Sequence, residues 1–441
     1  MQVVFSGVVL SAPKTVRPID SMNAEYIINL FLGSRGINKR MTRPAIMVLL
    51  VTLAALTTAC AQDPPALKNI FRNDFLIGAA LNPSQFCESN TVEATLVKRQ
   101  FNSISPENVL KWENIHPQPG QYDFTLADRY VAFGLKNKMF IVGHNLIWHS
   151  QTPDWVFRDD KGNYVDRDTL LARMREHIFT VVGCYKGKIS GWDVVNEALN
   201  EDGTLRDSPW RKIIGDDYLA KAFEFAHEAD PQAALFYNDY ALENEPKRSG
   251  AAALIKKLQS QGVKISGVGL QGHYGLNNPS VQQVGKTISA FEKLGLKVMI
   301  TELDVNVLPS PTRSLGADIS TRYESPAGLN PYTNGLPDAV QQQLAQRYAD
   351  LFSVFLKHRD SISRVTFWGV TDGNSWLNDW PIRGRTSYPL LFDRDGKPKP
   401  AFEAVLKTAQ TKSAMKISES ESASVRQPST IFNPAGKKPG A

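Results

Sequence analysis

Beyond about residue 70, short apolar runs alternate with stretches whose apolar residues recur at every third and fourth position. The runs at 75–81, 103–108, 140–148, 188–198, 234–240, 267–274, 297–305 and 364–370 read as strands. The stretches between them, such as LADRYVAFGLKNK, DTLLARMREHIFTVV and AVQQQLAQRYADLFSVFLKH, carry the helical period. Eight strands alternating with helices predict an α/β fold, a single-domain (β/α)8 TIM barrel, and functional groups in that fold sit at the C-terminal ends of the strands. Two long loops follow the seventh and eighth strands, 309–337 and the stretch DGNSWLNDWPIRGRTSYPLLFDRDGKP. Loops of that length in a compact domain are usually functional.

The ends of the chain have a different character from its middle. From Met41 the sequence MTRPAIMVLLVTLAALTTACAQDPP has basic residues, an apolar run from Ala45 to Leu56 and a small-residue exit, the layout of a secretory signal peptide. Ala59-Cys60-Ala61 fits a cleavage site, and the five residues ending at Cys60 also resemble a lipoprotein box, so the expectation is secretion, with lipid anchoring at Cys60 as the alternative. Residues 1–61 are therefore read as an N-terminal extension and signal, 62–411 as the barrel, and 412–441, rich in Ser, Lys, Pro and Gly, as a disordered or linker-like tail.

The formal charge of the chain is +6. Residues 1–61 contribute +4 and 412–441 contribute +3, leaving about −1 on the barrel, which has no basic footprint for nucleic acid. Of three cysteines, Cys60 lies in the signal region, and the layout puts Cys87 and Cys184 at opposite ends of the barrel, so no disulfide is expected.

Polar residues gather where the predicted strands end: Glu107 and Asn108, His144, Asn196 and Glu197, Asn238 and Asp239, Gln271 and His273, Glu302 and Asp304, and the aromatic Trp368. One such residue is unremarkable, but seven successive strands delivering them to one face point to a site. Glu197 ends the fourth strand and Glu302 the seventh, so they would face each other across the barrel mouth. Opposed carboxylates are the machinery of glycoside hydrolysis. His144, His149 and His273 raise the question of a metal, but no HExxH is present and the His144/His149 spacing sends the two rings to different sides, so no metal site or cofactor is expected. Trp148, Trp155, Trp368, Trp376 and Trp380 fall at or near the same loops, where indole faces can stack on sugars.

The blocks GHNLIWHSQTPDW, WDVVNEAL, YNDY, GLQGHY, ITELDV and FWGVTDGNSW, in this order, resemble the signature blocks of glycoside hydrolase family 10, chiefly endo-1,4-β-xylanases. The resemblance spans roughly residues 68–408 and implies a retaining enzyme that cleaves β-1,4-xylosidic bonds inside xylan through a covalent glycosyl-enzyme. It implies Glu197 as acid/base and Glu302 as nucleophile. Glu107, Asn108 and Lys111 would hold sugars on the non-reducing side, and His144 and Trp148 the attacked xylose. Asn196 would hold that sugar's 2-hydroxyl, Gln271 and His273 would bracket the nucleophile, and Trp368 and Trp376 would wall the donor side. Ala241 stands where the family often has asparagine. Xylan is the implied partner, with no stable protein partner, and the chain is expected to be a monomer. Chemistry requires Glu302 to be ionised while Glu197 holds a proton, a rise the sequence assigns to mutual charge and partial burial. Two rivals remain: a β-1,4-glucanase on the same barrel, and a catalytically silent glycan-binding barrel, which loss of either glutamate would mark.

Overall fold

The computed structural model describes residues 65–411, apart from 312–315, 317, 321 and 324–327. The signal-like segment with Cys60 and the tail after 411 lie outside the described residues. The strands are β1 Leu76–Leu81, β2 Ser103–Pro106, β3 Phe140–Ile147, β4 Gly191–Asn196, β5 Ala234–Asp239, β6 Gly267–Leu270, β7 His273–Gly275, β8 Lys297–Asn306 and β9 Ile362–Phe367. All pair in parallel: β1 to β6 neighbour one another in chain order, β9 and β8 continue on the other side of β1, and β6 pairs with β8. That last ladder closes eight strands into a ring, the expected (β/α)8 barrel. Among the described residues the short β7 pairs only with the far end of β8, His273 opposite Asp304.

Eight helices cover the ring: α1 Thr91–Gln100, α2 Thr125–Lys136, α3 Arg167–Cys184, α4 Tyr218–Ala229, α5 Lys247–Ser260, α6 Val281–Glu292, α7 Asp338–Lys357 and α8 at 400–411. Each buries the apolar stripe that its period dictates. Helix α2 turns Ala127, Tyr130, Val131 and Phe133 inward, and the Tyr130 hydroxyl sits 2.9 Å from the Ile104 carbonyl and 2.8 Å from that of Val142, tying it to β2 and β3. Helix α7 does the same with Leu344, Tyr348, Leu351, Phe352 and Phe355. Asp166 caps α3 through the Thr169 amide at 2.7 Å, and Ser280 and Gln283 form a reciprocal capping box on α6. Cys87 and Cys184 are both free thiols.

Two departures from the sequence pattern matter at the mouth. The sixth run, expected as one strand over 267–274, is broken at Gln271-Gly272, because Gly272 takes φ +82° and a β-carbon there would lie 2.9 Å from Ile300. The break re-aims Gln271 and His273 toward the axis. The fourth strand ends at Asn196 rather than 198, because Glu197 itself is left-handed, φ +56°, while its amide still bonds the Asn238 carbonyl at 2.9 Å.

On the face of the sheet turned to the helices, opposite to that of Asp193 and His144, large and small residues interlock. Trp192 is fully buried, and a β-carbon on Gly143 would stand 2.1 Å from its ring, so only glycine fits beside it. Toward the mouth the interior turns polar. Buried Arg364 approaches Asp193 at 3.8 Å, and the other oxygen of Asp193 holds His144 Nδ1 at 2.9 Å. Asp193 thereby fixes the His144 ring at the floor of the site.

Candidate active site

At the C-terminal ends of the strands the loops enclose an open cleft of about 1340 Å³. All the site residues expected from the sequence line it: Glu107, Asn108, Lys111, His144, Trp148, Asn196, Glu197, Gln271, His273, Glu302, Trp368 and Trp376. Trp380 lines it too, stacked on Trp376 with ring centres 4.7 Å apart. Trp155 does not. It packs edge-on against His116 and Trp112 outside the cleft, because its indole N–H is used by the Pro117 carbonyl at 3.0 Å.

Glu197 follows β4 and is buried. Its carboxyl accepts hydrogen bonds from Trp148 Nε1 at 3.0 Å and Gln271 Nε2 at 2.9 Å, and a longer one from Asn196 Nδ2 at 3.4 Å. Its carbonyl is held by Arg206 Nε at 3.0 Å. Burial pushes the carboxyl above the usual range, and the charge of Glu302 adds to that push, while the Gln271 and Trp148 bonds oppose it without winning. The sequence expected mutual charge and partial burial. Burial is in fact nearly complete and is the larger cause.

Glu302 lies within β8 and is as deeply buried. Burial works to raise its pKa too, but here the opposing causes win and hold it below the usual range. They are the hydrogen bond from His273, the electrostatic pull of His144 and His273, and the bond from Asn238. His273 Nε2 is 3.2 Å from Glu302 Oε2, and its Nδ1 is at ion-pair distance, 3.1 Å, from Asp304 Oδ2. Despite a burial penalty, those two carboxylates lift His273 to about 10, so the ring is cationic at neutral pH. Trp376 Nε1 donates to Asp304 Oδ2 at 2.7 Å, which ties the wall after β9 to the same cluster.

One run of amides joins the two carboxyls. Gln271 Nε2 reaches Glu197 at 2.9 Å and Asn196 Oδ1 at 3.4 Å, and Asn238 Nδ2 donates to Asn196 Oδ1 at 2.9 Å and to Glu302 Oε1 at 2.7 Å. Asn238 is a site residue left out of the expected binding set, though it stands at a strand end like Asn196. Thr301 orients it by donating to its Oδ1 at 2.6 Å. On the side of β2, Lys111 Nζ bonds Asn108 Oδ1 at 2.9 Å and Gln151 Oε1 at 2.8 Å, and lies 5.1 Å from the centre of the Trp148 ring. Gln151 is a second residue that the sequence did not single out. Glu107 beside Lys111 is raised by burial, against the pull of that lysine.

Two carboxyls of opposed protonation preference, one cationic histidine and a ring of amide donors with indole walls are suited to acid-assisted displacement at a sugar carbon. The model of the family described as Glycosyl hydrolase family 10 matches residues 66–408. The chain is 44% identical to endo-1,4-beta-xylanase A of Xylanibacter ruminicola, covering 84% of this chain and 99% of that protein. It is 41% identical to the beta-1,4-xylanase of Dictyoglomus thermophilum over the same shares. Among solved structures, a GH10 endoxylanase retrieved from a sugarcane soil metagenome superposes with a TM-score of 0.74 at 46% identity, covering 78% of this chain and 99% of that one. Xylanase XynB from Paenibacillus barcinonensis, complexed with a conduramine derivative, gives 0.70 at 36% identity and the same coverage. With the family matched across the whole barrel, the chain belongs to glycosyl hydrolase family 10.

Proposed function

We propose that this chain hydrolyses internal β-1,4-xylosidic bonds of xylan with retention of configuration, using Glu302 as nucleophile and Glu197 as acid/base. The observation that carries the assignment is the divergence of two equally buried carboxyls, Glu302 held ionised by His273 and Asn238, Glu197 held protonated by burial. Glu302 attacks the anomeric carbon as Glu197 passes its proton to the departing glycosidic oxygen, leaving a glycosyl ester on Glu302. Esterification removes the charge that helped raise Glu197, so its pKa falls and it becomes a base. It then takes a proton from water, whose oxygen displaces Glu302 and restores the β configuration.

The supporting residues follow from position. Glu107, Asn108 and Lys111 present hydrogen-bonding groups on the β2 side, where the donor sugars lie, and Trp368 and Trp376 wall that side. Asn196, fixed by Asn238, offers its amide to the 2-hydroxyl of the attacked sugar. His144, oriented by Asp193, and Trp148 floor the same position.

Release of reducing ends from xylan, with carboxymethylcellulose as comparison, tests the substrate, and proton NMR of the first-formed anomer tests the stereochemistry. The expected result is preference for xylan and initial β product. Preference for carboxymethylcellulose would move the enzyme to the glucanases, and no hydrolysis of either would make it a binding barrel. The enzyme acts as a secreted monomer in this reading. Mass spectrometry of the mature form should find an N-terminus near Gln62 or a lipid on Cys60, and an intact Met41 species outside the cell would contradict both.

A further inference from the structure

Beneath the β2 side of the cleft lies a column of four aromatic rings that the catalytic argument does not use. Trp112 stacks on His177 with centres 3.6 Å apart and planes 6° apart, and Tyr122 stacks on His116 at 3.8 Å and 24°. The two imidazoles are nearly coplanar, 3° apart, and meet Nδ1 to Nδ1 at 3.3 Å. Both rings are buried, and both Nε2 atoms lack a hydrogen-bond partner among the described residues. An Nδ1-to-Nδ1 contact is a hydrogen bond only if one nitrogen carries the proton and the other a lone pair. That contact alone would also suit an imidazolium beside an imidazole. With both Nε2 atoms buried and unpartnered, however, an added positive charge would have nothing to meet it, so the pair is neutral, with one of its two ring protons held in the Nδ1 contact.

The column joins elements that carry the donor side. Trp112 and His116 bound the single turn that begins after Lys111, and His177 belongs to α3 on the outside of the barrel. Trp210 packs on Trp112 and donates its indole N–H to the Trp148 carbonyl at 2.8 Å. The Glu113 amide bonds the Gln151 carbonyl at 3.0 Å, and Gln151 in turn holds Lys111. We propose that the His116–His177 pair is a positioning element for the donor subsites, holding Lys111 and Trp148 in place while neutral and loosening them when either ring gains a proton. The proposal rests on the xylanase reading for what binds there, but not for the titration itself.

The charged groups near the column bond elsewhere than to the imidazoles among the described residues. On α3, Arg173 reaches the Trp155 and Val156 carbonyls and Glu176 faces Tyr122. On the turn after Lys111, Glu113 is bonded to Gln151. No carboxylate bonds either imidazole among the described residues. Burial accordingly holds His116 down at about 4, and His177 well below the ordinary 6.5, with His116 adding to its depression. A histidine whose folded pKa is depressed costs the folded column nothing above the unfolded value. As pH falls below 6.5 the unfolded rings take protons that the folded pair refuses, so the column loses stability down to about 4.

The test is a histidine NMR titration of the intact enzyme together with Michaelis kinetics on xylo-oligosaccharides from pH 7 to 4. His116 and His177 should stay neutral below pH 5, and KM should rise several-fold toward pH 4 by more than the nucleophile's titration accounts for in kcat. The H116F/H177F variant keeps four stacked rings but cannot titrate there, so its KM should lose that acid rise while kcat keeps its profile. Protonation of either ring above pH 6 in the wild type would overturn the proposal, and so would an unchanged acid rise of KM in the variant. Should the variant fail to fold, the wild-type titration still decides. Absence of xylanase activity with the expected titration would count against the functional reading instead.

Discussion

The ends of β4 and β8 each present a buried glutamate to one cleft, and the two differ in what surrounds them. Glu197 meets an indole N–H and an amide, neutral donors that cannot offset its desolvation. Glu302 meets an amide and a histidine that a third carboxylate, Asp304, keeps cationic. Burial penalises both in the same direction, so the groups that meet each carboxyl, the bonded cation His273 foremost among them, decide which is the anion at working pH. In the roles proposed for them, an acid and a nucleophile are thereby made from one residue type.

The largest effect on this contrast should come from removing the anion itself. Glu302→Ala deletes the proposed attacking atom, and losses of several orders of magnitude are expected on every substrate, with no burst from an aryl xyloside. Glu197→Ala should be comparably inactive on xylan, roughly 10² or more below wild type. With an aryl xyloside whose leaving group needs no proton, its first step should survive, and added azide should restore turnover as the β-azide. An α-azide from Glu302→Ala, with Glu197→Ala unresponsive, would reverse the roles.

His273→Ala comes next and acts on the cause of the contrast. Without the cation, Glu302 loses its main support against desolvation, so its pKa should rise and the acid limb of the kcat/KM profile should move to higher pH. Activity is expected to fall about 10²-fold, the scale for breaking a buried ion pair. An acid limb that stays in place would show that Asn238 and His144 suffice. Trp148→Phe is the mildest change. It removes a bond that favours the charged form of Glu197, so the alkaline limb should move upward with a loss of roughly tenfold or less. A downward move would show that the indole works chiefly by desolvation.

Much of this was legible in the sequence, for a physical reason. Strand ends in a parallel barrel all point to one mouth, so polar residues after apolar runs, Glu107 through Trp368, announce the site without long-range information. The electrostatic contrast was less legible. Asp304, two residues beyond Glu302, was visible as a strand-end carboxylate, but its role in charging His273 depends on the break at Gly272 that turns β7 alongside β8. A glycine inside a strand-like run was the available signal. Asn238 carried the same signal as Asn196, an amide ending a strand. The ring column was hidden more deeply. His177 falls in the stripe Leu170, Met174, His177, Val181 of α3, where an apolar residue is the rule, but nothing local places His116 against it from 61 residues away.

The central claim, that surroundings rather than residue type separate the two glutamates, is tested most directly by a carbon-13 titration of the glutamate carboxyls, assigned through Glu197→Gln and Glu302→Gln. The Glu302 signal should titrate below the ordinary 4.5 and the Glu197 signal above it, and Glu197 should fall when Glu302 is made neutral. Glu302 titrating above Glu197 would contradict it.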